Sequence, residues 1–478
     1  MIIKYAFGQQ TAVLLKALYE LVVRTLVSPA ELAMWNLITI IANAGTLFQI
    51  NVEAASNRLL TQLHGKKVGR LSLVSVRGNS IYIELFQQTV LSCGLLLIAP
   101  IFWDAPEYLG FTLYYCAAAV MVSNGLIGLL VGLHESSSNF SRLGLVLPLN
   151  ATLQAVFILC GSYFFGILGL ISGAIFGLIL NVLLLFGSLQ VSHIFWRTNP
   201  EMTIGKDIGR IAALFRLADL PTSSFYMLDI ILASFWLEPK DLALYLTARI
   251  LVNFSTQIVF VWNRIGLVSL GNRIGAQQED SEISHFLSMQ FVFVFLILLP
   301  LSVAIFEPVF RWALPIFLPD YTESINALPF LLLAGATSAR SLFVRNYWIH
   351  KKNWKWIFYS GVWGLLTSLL IFWGGLEFFG EIGLREMAIL TFLSQVPYAL
   401  GIIVAVTISD DIKLHLLYRL GAFFLSLLNI VLILQLNGAL TETPIDSIVS
   451  GIKEIASGIS ILVPSILIGW LMYQRSLL

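Results

Sequence analysis

The chain has 478 residues, of which 58% are hydrophobic and only 12% charged, with a formal net charge of +1. Soluble domains carry roughly 25% charged residues, and a soluble core could not hide this much apolar surface. A soluble enzyme is therefore excluded, no nucleic-acid partner is expected, and the composition is that of an all-α polytopic membrane protein.

Apolar runs of about 20 residues or more, long enough to cross a bilayer as helix, predict fourteen spans. The first six run over 10–29, 32–56, 78–102, 110–133, 143–164 and 166–190. The next six run over 209–237, 241–268, 284–306, 324–348, 354–376 and 385–408, and two more follow at 413–436 and 447–472. This reading divides the chain into an N-terminal six-helix lobe (1–190), a cytoplasmic linker (191–208), a C-terminal six-helix lobe (209–408) and two additional helices (409–478). Met1–Gln10 leads directly into the first span, so no cleaved signal is expected.

One stretch is written twice. S-P-A-E-L-A-M-W-N-L-I-T-I-I-A-N at Ser28–Asn43 returns, 210 residues later, as E-P-K-D-L-A-L-Y-L-T-A-R-I-L-V-N at Glu238–Asn253. Each copy reads as a Pro-acidic turn that starts a helix. A second echo, F-F-G-I-L-G-L at Phe164–Leu170 and F-F-G-E-I-G-L at Phe378–Leu384, has nearly the same offset. Two such echoes predict an internal duplication. Six spans separate the copies, so the repeat is expected to be parallel, giving two pseudo-symmetric six-helix bundles.

Lys and Arg assign the sides. Segments on the side of the N-terminus hold 18 of them, and opposite segments hold only Lys240, Arg311 and Arg385. By the positive-inside rule both termini are expected to be cytoplasmic. No segment between spans is large enough for a nucleotide-binding or glycosyltransferase domain, and no phosphate-binding loop or zinc-protease motif occurs. Cys93, Cys116 and Cys160 lie in apolar spans without ligand or disulfide spacing, and no histidine pair has ligand spacing. Neither a metal site nor a cofactor is expected.

Ionisable groups inside spans cost a few kcal/mol or more unless they pair or face water. Lys16, Glu20 and Arg24 share one helix face at i, i+4, i+8. They read as a self-neutralising ladder or, better, as a cavity-lining stripe. Arg249, Asn253 and Gln257 repeat that spacing without an acid on the same face, which suits an anionic substrate. Arg216 and Asp219 are placed as a local pair, with Asp229 deeper in the same span and Arg340 mid-way along the tenth. The substrate-binding candidates are thus Lys16, Arg24, Arg216, Arg249, Arg340, Asn253 and Gln257. Asn36, Asn43, Asn51, Glu53, Glu84, Gln87 and Gln88 read first as interhelical glue. Glu20, Glu53, Glu84 and Asp229 are also candidates for proton or sodium coupling; spacing does not choose among them, and Glu20 and Asp229 are carried forward.

At R-T-L-V-S-P-A-E-L-A-M-W with Arg58 closing the second span, the chain resembles a known family. The same holds at L-D-I-I-L-A-S-F-W-L-E-P-K-D-L-A-L-Y around Asp229 and at Leu318–Gly335. It is similar to the polysaccharide and O-antigen-type flippases of the multidrug/oligosaccharidyl-lipid/polysaccharide exporter superfamily. The resemblance implies alternating access in a bacterial cytoplasmic membrane and a lipid-linked oligosaccharide substrate on polyprenyl pyrophosphate. It also implies membrane lipids as surroundings, with a polysaccharide polymerase and glycosyltransferases as working partners, and a tail groove at the last two spans. Two rivals stand beside it: a cation-coupled multidrug exporter of the same superfamily, and a non-transporting scaffold of a polysaccharide synthase.

Overall fold

A helix facing lipid gains nothing by hiding large apolar side chains, so its small residues turn inward instead. The helix Trp354–Phe379 follows this rule. Apart from Ile357 and Phe372 it buries small residues, Ser360, Gly361, Gly364, Ser368 and Gly375, and it exposes Tyr359, Trp363, Leu370 and Trp373. The computed structural model describes residues 2–27, 29–66, 70–102, 110–137, 140–188, 202–279, 282–283, 286–287, 293–338, 348, 351, 353–408, 427–435, 450, 452–460 and 462. Among these there is no strand. In chain order the helices are α1 (Ile2–Leu26), α2 (Pro29–Thr46), α3 (Val52–Gly65), α4 (Arg70–Phe102), α5 (Thr112–Ser136) and α6 (Phe140–Ser188). Then come α7 (Met202–Trp236), α8 (Pro239–Gly275), α9 (Leu299–Phe317), α10 (Leu328–Ser338), α11 (Trp354–Phe379) and α12 (Leu384–Ile408).

Among the described residues six helices are long and apolar enough to cross a membrane, or seven if the bent α8 counts as one. This is a multi-pass membrane protein. The other expected spans coincide with the more polar α1 and α7, with short helices such as the apolar part of α2 (Leu37–Thr46), or with residues outside those described.

The chain forms two compact units, Met1–Leu217 with Val268–Gln277, and Ala218–Leu267 with Gln278–Leu478. In the first, α6 is 49 residues long and covers two expected spans, because Gly166 (φ 56°, ψ −135°) reverses the chain. Beyond the turn the two arms lie so close that a Cβ on Gly161 would strike the carbonyl of Gly169. Asn150 hydrogen-bonds Asn181 across them, and Phe157 meets Phe176 edge-on at 4.7 Å. At the other end α1 lies on α6, with Gly8 against Gly144 and the Tyr5 hydroxyl donating to Glu135 at 2.5 Å. A core of Tyr19, Val23, Ile38, Ile41, Met121 and Ile171 joins these helices to α2 and α5.

One expected span is broken. The run 32–56 ends as helix at Thr46, and a new helix starts at Val52. The reason is local: the Asn51 side chain accepts from the Ala54 amide at 2.9 Å, and Glu53 sits in the first turn. Both favour a helix start over a helix interior.

In the second unit α11 packs through its glycine face, Gly361 against Thr222 of α7 and Gly364 against Tyr398 of α12. Gly380, the echo of Gly166, also has positive φ (71°) and turns the chain between α11 and α12. The described stretches 427–435 and 452–460 are helical. Their docking, which sequence left open, is on α9: Ala304 packs with Ile433 and Leu462. Arg311 is a correction to the sequence reading. Instead of lying in an outer loop it sits inside α9, 1% exposed, ion-paired with Glu307 at 3.1 Å and with Glu454. The paired carboxylates make its burial tolerable.

Candidate functional site

Pro239 at the first helical position and Asp241 in the first turn start α8, as fixed φ and the helix dipole favour. From there Tyr245, Arg249, Asn253 and Gln257 recur every fourth residue on one face. The acid that this face lacks comes from the preceding helix. Arg249 Nη1 donates to Asp229 Oδ2 on α7, and Arg249 Nη2 donates to the Tyr226 carbonyl at 3.1 Å. The Tyr245 hydroxyl donates to Asp229 Oδ2 at 2.9 Å and lies 2.9 Å from Thr391 Oγ1 of α12. Arg249 is therefore a compensated cation, which corrects the expectation of a free one. Sequence spacing sees only one helix at a time, and the partner stands on another.

Aromatic rings pack beside this network. Phe225 of α7 packs on Tyr398 of α12 at 4.4 Å, and Tyr226 meets the same ring edge-on at 5.8 Å. Asp229 is nearly buried, whereas the Arg249 side chain keeps 23% of its surface. Asn253, one turn on, is exposed, and Gln257 is half-buried. Arg249 thus keeps part of its side chain accessible on the same helix face as two amides, with its charge already balanced. The residues missed from sequence are Tyr245 and Thr391. Tyr245 carried a signal, being one turn before Arg249 on its stripe.

The first unit holds a second polar centre at the break between α2 and α3. A helix end leaves carbonyls without partners, and Arg216 Nε donates to one of them, Leu47 O, at 2.8 Å. The Ile50 amide donates to Gln87 Oε1 at 3.0 Å. Gln87 and Gln88 each donate to Glu84, both at 2.7 Å. Arg216 is thereby placed on the broken helix, and Asp219 accepts from Ser223 at 2.9 Å.

The stripe on α1 is graded. Lys16 is exposed, Glu20 and Arg24 are half-buried, and Arg24 donates to the Glu20 carbonyl at 2.7 Å. Arg340 lies outside the described residues. Arg58, which sequence singled out only through family likeness, is 4% exposed, and its Nε and Nη1 have no hydrogen-bond partner among the described residues. No group of three or more His, Cys, Asp or Glu with metal-binding geometry occurs among the described residues.

This architecture has been seen before. A multidrug-resistance MATE family transporter of the MOP superfamily, in an outward-facing conformation, matches with a TM-score of 0.68 at 14% identity. The match covers 86% of this chain and 96% of that one. The Vibrio cholerae MATE transporter VcmN, in a mutant form, matches with 0.66 at 14% identity over 87% of this chain and 98% of its own. A MATE protein in complex with MaD5 gives 0.64 at 15% identity over 86% and 96%. The chain has the MATE fold. No protein-family model and no curated sequence matches it. The MATE fold supplies the helical frame that sets Asp229, Tyr245 and Arg249 together, and the chain's own side chains must supply the chemistry.

Proposed function

We propose that this MATE-fold protein is a transporter that flips a lipid-linked oligosaccharide, carried on polyprenyl pyrophosphate, across the bacterial cytoplasmic membrane by alternating access. The observation that carries the reading is Arg58. A buried guanidinium with two of its nitrogens unpartnered among the described residues costs a few kcal/mol, and such a cost is sustained where an anion completes the site. Sugar and pyrophosphate are too polar for hydrocarbon, so they need polar helix faces such as Lys16–Arg24 and Arg249–Gln257, while the prenyl tail stays in lipid.

A second reading, a cation-coupled drug exporter, has its own observation. Arg249 is neutralised by Asp229, so the second unit offers no free positive charge at that point. The two readings divide on Arg58. In liposomes holding only this protein, a fluorescent polyprenyl-pyrophosphate oligosaccharide is expected to change leaflet, and Arg58→Ala to abolish the movement while folded protein remains. Cationic dye efflux that survives Arg58→Ala, without any lipid movement by the wild type, would select the exporter instead.

A further inference from the structure

Between Glu323 and Glu377 the sequence has no acid, yet it carries Arg340, Arg345, Lys351, Lys352 and Lys355. The three lysines fall within 351–355, where α11 begins, and α11 is long and apolar enough to cross the membrane. Lys351 and Lys355 are exposed, and Lys352 lies outside the described residues. The Lys355 ammonium stands 5.7 Å from the centre of the Trp356 ring, which meets Tyr359 edge-on at 6.3 Å. A cation and an indole at that distance attract.

From Lys355 one exposed face runs along the helix. Tyr359 and Trp363 follow at i+4 and i+8, and Leu366 and Leu370 continue it, all four of them exposed and in helical register. At 1.5 Å per residue, Lys355 to Leu370 covers about 22 Å, roughly one leaflet of a bilayer with its headgroups. The order along the face is cation, aromatic, aliphatic. Trp363 is fixed at its middle: the indole N–H donates to the Pro397 carbonyl of α12 at 3.0 Å, and a Cβ on Gly401 would lie 2.5 Å from its Cδ1. The ring is thus seated on α12 over a glycine, and half its surface stays open.

We propose that this face of α11 binds an acidic glycerophospholipid of the leaflet at the start of the helix. Lys351 and Lys355 meet the phosphate, Tyr359 and Trp363 the glycerol-ester level, and Leu366 and Leu370 an acyl chain. Tyr and Trp favour that intermediate level because each joins an apolar body to a polar tip. Lysines at a membrane surface strengthen binding of acidic lipid about fivefold each. A zwitterionic lipid carries its own cation beside the phosphate and gains less from them. Aromatic anchoring by itself is indifferent to headgroup charge. This lipid is bound and not transported, so the site stands whether or not the reading built on Arg58 holds.

The test titrates the purified full-length protein, in mild detergent, with phosphatidylglycerol carrying a photoreactive diazirine on one acyl chain. Saturable crosslinking within 359–370 is expected, suppressed by unlabelled phosphatidylglycerol and not by phosphatidylcholine. Lys351→Gln/Lys355→Gln should weaken the apparent affinity about twenty-five-fold. Arg385→Gln removes a cation beyond the Gly380 turn, at the far end of α11, and should leave the affinity unchanged. All three side chains are exposed, so the variants keep the packed core intact. Equal competition by phosphatidylcholine would reduce the face to aromatic anchoring and overturn the site. Unchanged affinity in the double lysine variant, or an equal loss in Arg385→Gln, would overturn it too. Displacement of the lipid by inorganic phosphate alone would reveal a bare anion site and refute the lipid assignment.

Discussion

Pro29–Thr46 and Pro239–Gly275 start from the same sequence signal and diverge at matching positions. The first helix stops, turns through 47–51 and restarts at Val52. The second continues but bends by 42° between Lys240–Gln257 and Val259–Gly275. Gln257 stands 210 residues after Leu47, the offset of the repeat. At the restart the first copy has Asn51, a helix cap, where the second has Val261, 2% exposed, which gives the backbone no alternative partner. By contrast, the hairpin glycines Gly166 and Gly380 both take positive φ. A turn that needs a backbone conformation open mainly to glycine is kept in both copies. A helix interruption set by one polar side chain is free to differ. The chemistry differs with it: a cluster of Glu84, Gln87 and Gln88 in the first unit, and a balanced ion pair in the second.

This contrast can be broken by mutation. The largest effect is expected from Asp229→Asn, which leaves Arg249 without its counter-charge and should cost about 3 kcal/mol or more. Thermal unfolding in detergent would read it, and the double variant Asp229→Leu/Arg249→Met should recover much of the loss. Gly380→Ala comes next. Open space surrounds its Cβ position, so the penalty is backbone alone, about 1–2 kcal/mol, visible as a lowered midpoint. Asn51→Ala should cost about 1 kcal/mol by removing the cap. Faster hydrogen exchange of the Ala54 amide would report it, and an unchanged rate would mean that the cap does not hold the break. The smallest effect belongs to the Lys240–Glu323 pair, whose side chains are 65% and 58% exposed. Lys240→Ala should leave the unfolding midpoint where it was.

Parts of the site were legible in sequence because they repeat along one helix. The stripe Arg249, Asn253, Gln257 and the hairpin Phe164–Leu170 depend only on helical spacing and on glycine, and both are where spacing puts them. The pairing of Arg249 with Asp229 was not legible, since 20 residues and a turn separate them. Nor was the landing of Arg216 on Leu47, 169 residues away. Glu53 and Glu84 stood among several coupling candidates that spacing could not rank; that both approach glycines of α5 is a tertiary fact.

By itself, the sequence determined that the chain is helical, crosses the membrane several times and contains a duplicated pattern. These follow from composition, run length and periodicity, which act locally. Only the tertiary structure decided which charges are balanced, where the second span breaks and what the last two helices dock against. Those outcomes depend on contacts between distant helices. In a membrane such contacts are selected by close packing of small residues and by satisfied polar groups, because apolar side chains are as well solvated by lipid as by protein.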